Sequence, residues 1–402
     1  MKQLLYSYKT LFICLVFLQS AFVMAQNYIT IEGVVYDEYN YPVPYASVGI
    51  VSKNIGTSST EDGGFKFIVT NDELSDTIEI SSIGFQSLEI TVQDFIALTD
   101  KTFVLKEMIT ELGEVSIERP NEIVKKAFKK LKTNTISRKH KLGLLYRRWS
   151  VEDKLCRYFI EQYIDIVDRG PSSYIHAFEV LQSRTSSDYR FIKNEQDRHA
   201  LQFMALNNPL RNGPSLGSYN WKKIEDTFYA GEDVLVLQGT QKSGNSITLY
   251  IGFDSLKIYK IEKSIITMKI GKSLNALYIY KNNNEGKLYL SYHKRQWEGA
   301  VATPEHVKRA MLSSGKKERK YIPISYRHEV FVLDLEDGNG KMKLNDESIQ
   351  QDMTLYKIPY DEEFWNSVSL PPETKFYLKN IKELEGLYDV PIETQFLYSN
   401  KR

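Results

Sequence analysis

Ser59-Thr60-Glu61-Asp62-Gly63-Gly64-Phe65-Lys66-Phe67-Ile68-Val69 decides how the first part of this chain folds. Asp62-Gly63-Gly64 supplies residues that accept positive backbone angles at little steric cost, so the chain can reverse in a tight turn. Phe65, Phe67 and Val69 then recur with period two, which sends alternate side chains of a strand into a core. On the N-terminal side, Ile29 to Tyr36 alternates in the same way, ends at Asp37-Glu38-Tyr39-Asn40, and is followed by a second run, Ala46 to Val51. On the C-terminal side come Thr77 to Ser82, Leu88 to Val92 and Thr102 to Leu105, separated by Ser75-Asp76 and Ile83-Gly84-Phe85. About seven short strands in about eighty residues is the spacing of an antiparallel sandwich.

The larger remainder opens with a helix at Pro120 and Asn121, whose Ile123, Val124, Ala127, Phe128 and Leu131 share one face. Strands follow at Leu144 to Trp149, Cys156 to Val167, Val234 to Gln238, Ile247 to Phe253, Leu256 to Ile261, Leu277 to Tyr280 and Leu288 to Tyr292. Turns such as Lys242-Ser243-Gly244-Asn245 and Asn283-Asn284-Glu285-Gly286 separate them. Short helices are expected near Glu195 to Leu206, at Pro304 to Leu312 with Thr303 as cap, and near Thr374 to Leu387. The expected fold is therefore mainly β: an N-terminal seven-stranded antiparallel β-sandwich, then an α+β domain built on a curved antiparallel sheet with a few helices.

At 402 residues the chain exceeds what one hydrophobic core organises. The balance of 52 Lys and Arg against 51 Asp and Glu gives no reason to expect nucleic acid as the partner. Lys2 and Lys9, the apolar run Leu11 to Leu18 and Val23-Met24-Ala25 have the layout of a signal peptide, with cleavage expected after Ala25. The chain then divides into a signal peptide (1–25), the sandwich (26–106), a linker (107–120) and the α+β domain (121–402). Bulky Ile13 precedes Cys14, against a lipoprotein signal there. Cys156 reads as a small buried hydrophobe with no partner for an internal disulfide.

Three ordered stretches resemble the carboxypeptidase regulatory-like domain, an immunoglobulin-like sandwich. They are Gly33-Val34-Val35 through Pro42-Val43-Pro44-Tyr45-Ala46-Ser47-Val48, then Ser59 to Phe65, then Ile80-Ser81-Ser82-Ile83-Gly84-Phe85. The resemblance implies a non-catalytic accessory module of the kind found in Bacteroidota cell-envelope proteins, and places the protein in the periplasm or at the outer membrane or cell surface. Ile109 to Ile117 is similar to the linker strand that follows the module, but no receptor plug comes after it. The hairpins around Gly231 to Leu237, Ile247 to Ile251 and Lys257 to Glu262 are similar to those of periplasmic half-barrel lipoprotein carriers, without a diagnostic motif. Residues 143–402 do not read as a transmembrane barrel, because many segments fall short of about ten residues or carry charge on both faces.

Chemistry is sparse. The six histidines form no HExxH pattern, and His293, Glu298, Glu305 and His306 match no standard metal spacing. Asp334-Leu335-Glu336-Asp337-Gly338-Asn339-Gly340 has oxygen ligands and a glycine turn but misses calcium-loop spacing, so a hairpin turn is expected. No GxSxG elbow, phosphate loop or dinucleotide fingerprint is present. No catalytic, metal or cofactor site is therefore assigned. The strongest local charge feature is a basic patch of Lys125, Lys126, Lys129, Lys130, Arg147 and Arg148, a candidate contact for anionic lipid or another polyanion. The expectation is a non-enzymatic envelope protein that binds an envelope protein, glycan or lipid, with peripheral membrane contact through that patch. Two alternatives make distinct structural demands. A lipid or lipoprotein carrier needs a dry apolar cavity of several hundred Å³. A glycan or peptide hydrolase needs carboxylates brought together in a cleft with a raised pKa.

Overall fold

A computed structural model describes residues 28–108, 119–171, 177–193, 199–201, 208–211, 215–267, 272–337, 351–356 and 358–399, with positions 175, 213 and 344. The expected signal peptide, the strand at 109–117, most of the helix at 195–206, and residues 338–343 and 400–402 lie outside the described residues.

Seven strands make the sandwich: β1 (Ile29–Asp37), β2 (Ser47–Ile50), β3 (Ile55–Ser58), β4 (Gly64–Val69), β5 (Thr77–Ser81), β6 (Leu88–Thr91) and β7 (Thr102–Leu105). They form two sheets, β4-β1-β7 and β3-β2-β5-β6, with a short helix α1 (Val92–Ala97) before the last strand. The turn at Gly63 has φ +80°, and a Cβ there would stand 2.4 Å from the Val35 carbonyl oxygen, so glycine is required. Phe65 is fully buried beside Ile31, Phe95 and Phe103. Two details differ from the expectation. The pairing of β1 with β7 is parallel. The seventh strand, β3, lies in Gly56-Thr57-Ser58, which reads as turn chemistry; Gly49 faces Gly56 across β2 and β3, and a Cβ on either would meet backbone at about 2.4 Å or less.

The remaining strands build one antiparallel sheet: β8 (His140–Glu152), β9 (Leu155–Asp168), β10 (Ala177–Thr185), β11 (Asn220–Tyr229), β12 (Glu232–Thr240), β13 (Ser246–Gly252), β14 (Ile258–Thr267), β15 (Lys272–Asn282), β16 (Leu288–Ala302) and β17 (Tyr321–Glu336). The spatial order is β10-β9-β8-β17-β16-β15-β14-β13-β12-β11. From β8 the chain meanders out to the β10 edge, crosses to the opposite edge, and meanders back until β17 pairs with β8. This is the expected large curved antiparallel sheet. The edge strand β11 is missing from the sequence reading because its exposed charges, Lys222, Glu225 and neighbours, mask its pattern. The strand read from Leu256 starts at Ile258, because Leu256 itself turns with φ +57°.

Helices cover both faces. These are α2 (Pro120–Lys129), α3 (Leu131–Asn134), α4 (Glu305–Ser313), α5 (Glu362–Ser367), α6 (Lys375–Gly386) and α7 (Ile392–Ser399). The apolar stripe of α2 packs on β11 to β15. On β8, alternation sends Leu144, Tyr146 and Arg148 to one face and Leu145, Arg147 and Trp149 to the other. The first face is covered by Leu201, Met353 and α4; the second by α5, α6, α7 and Tyr45 of the sandwich. Thr374 caps α6, its hydroxyl accepting from the Tyr377 amide at 3.0 Å. Thr303 does not cap α4 as expected: Pro304 holds the cap position with no side-chain bond. None of the described helices is long and apolar enough to cross a membrane.

Candidate binding groove at the C-terminal helices

Because β8 is covered on both faces, its adjacent arginines are both buried, one on each side. Arg147 lies in a row that crosses five strands in register: Lys294 on β16 opposite Glu329 on β17, Glu329 opposite Arg147 on β8, Arg147 opposite Glu161 on β9, and Glu161 opposite Arg184 on β10. The charges alternate along the whole row. Glu161, with no exposed surface, accepts from Arg147 and, at 2.6 Å, from Arg184 Nε. Burial alone would push its carboxyl up, but the two guanidiniums outweigh it and hold the pKa below the usual range.

The row joins two parts of the molecule. At one end Lys294 Nζ donates to Tyr45 of the sandwich at 2.7 Å, and Tyr45 stacks on Tyr292 at 4.3 Å between ring centres. Arg327, beside Glu329, reaches Glu61 at 2.7 Å and lies over Phe376 of α6. Asp62, in the same sandwich turn, accepts from the Lys375 amide that begins α6, at 2.6 Å. At the other end Arg184, stacked on Trp365 and Phe396, faces a cleft formed with α5, α6 and α7.

This cleft encloses about 480 Å³. Arg184, Tyr360, Tyr377, Ile381 and Phe396 contribute to its lining, together with the exposed apolar side chains Leu378 and Leu397. Four glutamates, Glu362, Glu373, Glu385 and Glu393, complete its character. Arg184, the one basic residue among the described lining residues, is paired with Glu161. Glu385 is partly committed too, accepting from the Ile392 amide at 2.9 Å and so holding the start of α7. The groove therefore offers apolar surface inside a negative field, with no nucleophile beside a base among its described lining residues.

The expected basic patch is divided by the fold. Lys125, Lys126, Lys129 and Lys130 are exposed along α2, with Lys125 bonded to Glu122 at 2.8 Å. Arg147 and Arg148 are not part of that surface: a strand covered on both faces buries them both. His293 is buried, its Nδ1 3.0 Å from the Leu277 carbonyl oxygen, whereas His306 lies on α4 against Phe191, so the four residues weighed as metal ligands do not converge. Among the described residues no three His, Cys, Asp or Glu side chains are placed to hold a metal. Asp334 and Glu336 belong to β17, and Asp337 pairs with Arg138 at 2.7 Å. Burial raises the carboxyls of Glu152 and Asp165, but neither lines a described cavity. Two apolar cavities beneath the opposite face measure about 40 and 50 Å³ and are far too small for an acyl chain. The groove itself had no signal in the sequence, because Glu362, Glu385 and Glu393 come from three helices, Glu373 and Tyr360 from segments outside them, and Arg184 from an edge strand.

A family model described as the CarboxypepD_reg-like domain matches residues 31–117, so the N-terminal part of the chain is a carboxypeptidase-regulatory-like domain. No curated protein matches the chain. Among solved structures, a domain described as an outer membrane lipoprotein-sorting protein from Vibrio parahaemolyticus is similar at 10% identity, covering 56% of this chain and 94% of that one, with a TM-score of 0.29. A LolA superfamily protein from Nitrosomonas europaea is similar at 12% identity over 54% and 95% of the two chains, with a TM-score of 0.21. A DUF1329 family protein from Desulfovibrio piger is similar at 11% identity over 56% and 95%, with a TM-score of 0.25. Likenesses this distant carry no argument about what the chain binds.

Proposed function

We propose that the protein is a non-enzymatic binding component of the cell envelope whose C-terminal groove takes a cationic, partly apolar segment of a protein partner. The observation that carries this reading is the pairing of four glutamates with exposed leucine and aromatic surface in one cleft of about 480 Å³. Charge complementarity steers such a segment to the groove, and apolar contact retains it. A lysine- and leucine-containing peptide titrated against the purified protein by calorimetry tests the proposal. Binding weakens as salt rises, and the double variant Glu362→Gln with Glu393→Gln weakens it by about tenfold, the cost of losing exposed ion pairs worth up to about 1 kcal/mol each. Equal binding of a peptide with glutamate in place of lysine overturns the reading. The lysine face of α2 supports a secondary peripheral contact with an anionic surface. Vesicles of anionic lipid should pellet the protein at low salt and lose it when Lys125, Lys126, Lys129 and Lys130 become glutamine.

A further inference from the structure

The sheet face opposite the groove carries a second polar constellation. Arg295, His328 and Arg148 stand directly across from one another on β16, β17 and β8. Tyr278, His293, Val330 and Tyr146 form the neighbouring row on the same face. From outside the sheet His199 places its Nδ1 3.1 Å from His328 Nε2. Two guanidiniums flank one imidazole on the same sheet face.

Among the described residues one carboxylate meets this constellation. Asp352 meets Arg148 Nη1 at 3.3 Å, and spends its other bonds on the amides of His199 and Thr354. Among the described residues no carboxylate pairs with Arg295, which burial makes easier to deprotonate than a free arginine. Among the described residues, Arg148 Nε and Nη2, Arg295 Nε, His199 Nε2, His328 Nδ1 and His293 Nε2 are buried without a hydrogen-bond partner. Arg148 has no exposed surface and His328 is 2% exposed. Buried charge is normally paired, and buried donors are normally bonded. Eight nitrogen and hydroxyl groups left open around two guanidiniums, once Tyr146 and Tyr278 are added, are the lining expected of an anion site. A small, mostly apolar cavity of about 50 Å³ bordered by Tyr278, His293 and Val330 lies beside these rows.

We infer that Arg295, Arg148 and the imidazoles of His328 and His199 form a binding site for a phosphate group, supplied either as a free ion or by an anionic lipid head. A tetrahedral oxyanion presents oxygens in several directions at once, so one group can accept from arginines on either side of β17 and from the ring between them. Guanidinium forks match such oxygens in geometry as well as charge.

Thermal unfolding of the full chain in inorganic phosphate, against chloride at equal ionic strength, tests the free-ion source. Flotation with vesicles containing phosphatidic acid tests the lipid source. In both arms Arg295→Met is compared with the parent and its fold checked by circular dichroism; His328→Gln stands in should the methionine variant not fold. A saturable rise in melting temperature with phosphate, weakened by about ten- to a hundredfold in Arg295→Met, supports the site with a free ion as its ligand. With Lys125, Lys126, Lys129 and Lys130 replaced by glutamine in both proteins, vesicle binding that Arg295→Met abolishes, with no response to free phosphate, supports it with a lipid head. The inference is overturned if neither probe engages the parent more strongly than the folded variant.

Discussion

Glu161 is a carboxylate with no exposed surface held between two arginines, and its removal separates net stabilisation from the cost of an orphaned charge. Glu161→Gln leaves Arg147 without its partner in the core and should lower stability by about 3–5 kcal/mol, read from the urea midpoint. Replacing Arg147 and Glu161 together by Met and Leu should cost clearly less than the two single changes added, because no lone charge remains. The histidines set the pH dependence. Burial holds His293 down to about 4, and burial with the nearby arginines holds His199 and His328 well below their ordinary value. The unfolded chain takes up protons near pH 6.5 that the folded chain refuses, so stability is complete above that pH and declines as pH falls toward the folded values. Each histidine adds a slope of up to about 1.4 kcal/mol per pH unit. Urea midpoints in phosphate-free buffer between pH 7 and 5 should fall accordingly, and a flat profile would contradict this account. None of these roles was legible in the sequence. Arg147 and Arg148 read as surface charge because adjacency on a strand says only that they point opposite ways, not that both sides are covered.

At the scale of elements the sequence was more informative. The sandwich strands, the helix at Pro120 and the helix capped by Thr374 each follow from local pattern and turn chemistry. What escaped was set by partners: β3, whose glycine, threonine and serine form a strand because Gly49 and Gly56 let β2 approach, and both edge strands of the large sheet, β10 and β11, whose polar and charged residues suit an edge. Because Tyr377, Leu378 and Ile381 bring α6 into the groove, its cap bears on binding as well as on folding. Thr374→Ala should cost about 1 kcal/mol of stability and should weaken the cationic peptide more than the urea midpoint alone would suggest. Unchanged peptide affinity in that variant would mean that α6 is held by its packing and not by its first turn.

Across the whole molecule the sandwich meets the ten-stranded sheet at several points: the turn of Glu61 and Asp62, the ring of Tyr45, Gly84, whose amide donates to the Phe228 carbonyl at 2.8 Å, and Asn54, which accepts from the Asn284 amide at 2.8 Å. Glu61 and Asp62 leave the same turn for Arg327 and the start of α6, while Tyr45 holds a left-handed backbone, φ +61°, to lay its ring on Tyr292. A non-glycine residue kept in that conformation stores strain that the surrounding contacts must outweigh. The sequence shows the module and its turn, yet gives no sign that the turn's acids serve the neighbouring sheet. Tyr45→Ala removes the stacked ring and the bond to Lys294. It should lower stability by about 2–4 kcal/mol and uncouple sandwich from sheet, so that the near-ultraviolet and far-ultraviolet signals no longer change together in urea. Coincident transitions in the variant would show that the remaining contacts suffice.

The alternating row from Lys294 to Arg184 also bears on how the chain finds its register. A slip of one residue throws apolar side chains to the wrong face and is rejected at once, but a slip of two keeps every face correct. At the joint between β8 and β17, closed only after the chain has travelled to the far edge and back, a slip of two sets Arg147 against Arg327 or Phe331 instead of Glu329. One such mistake parts Arg147 from Glu329, which keeps Arg327, and sets Arg147 beside a second arginine or an aromatic ring. The row thus adds an electrostatic cost to near-correct sheets that hydrophobic patterning would accept.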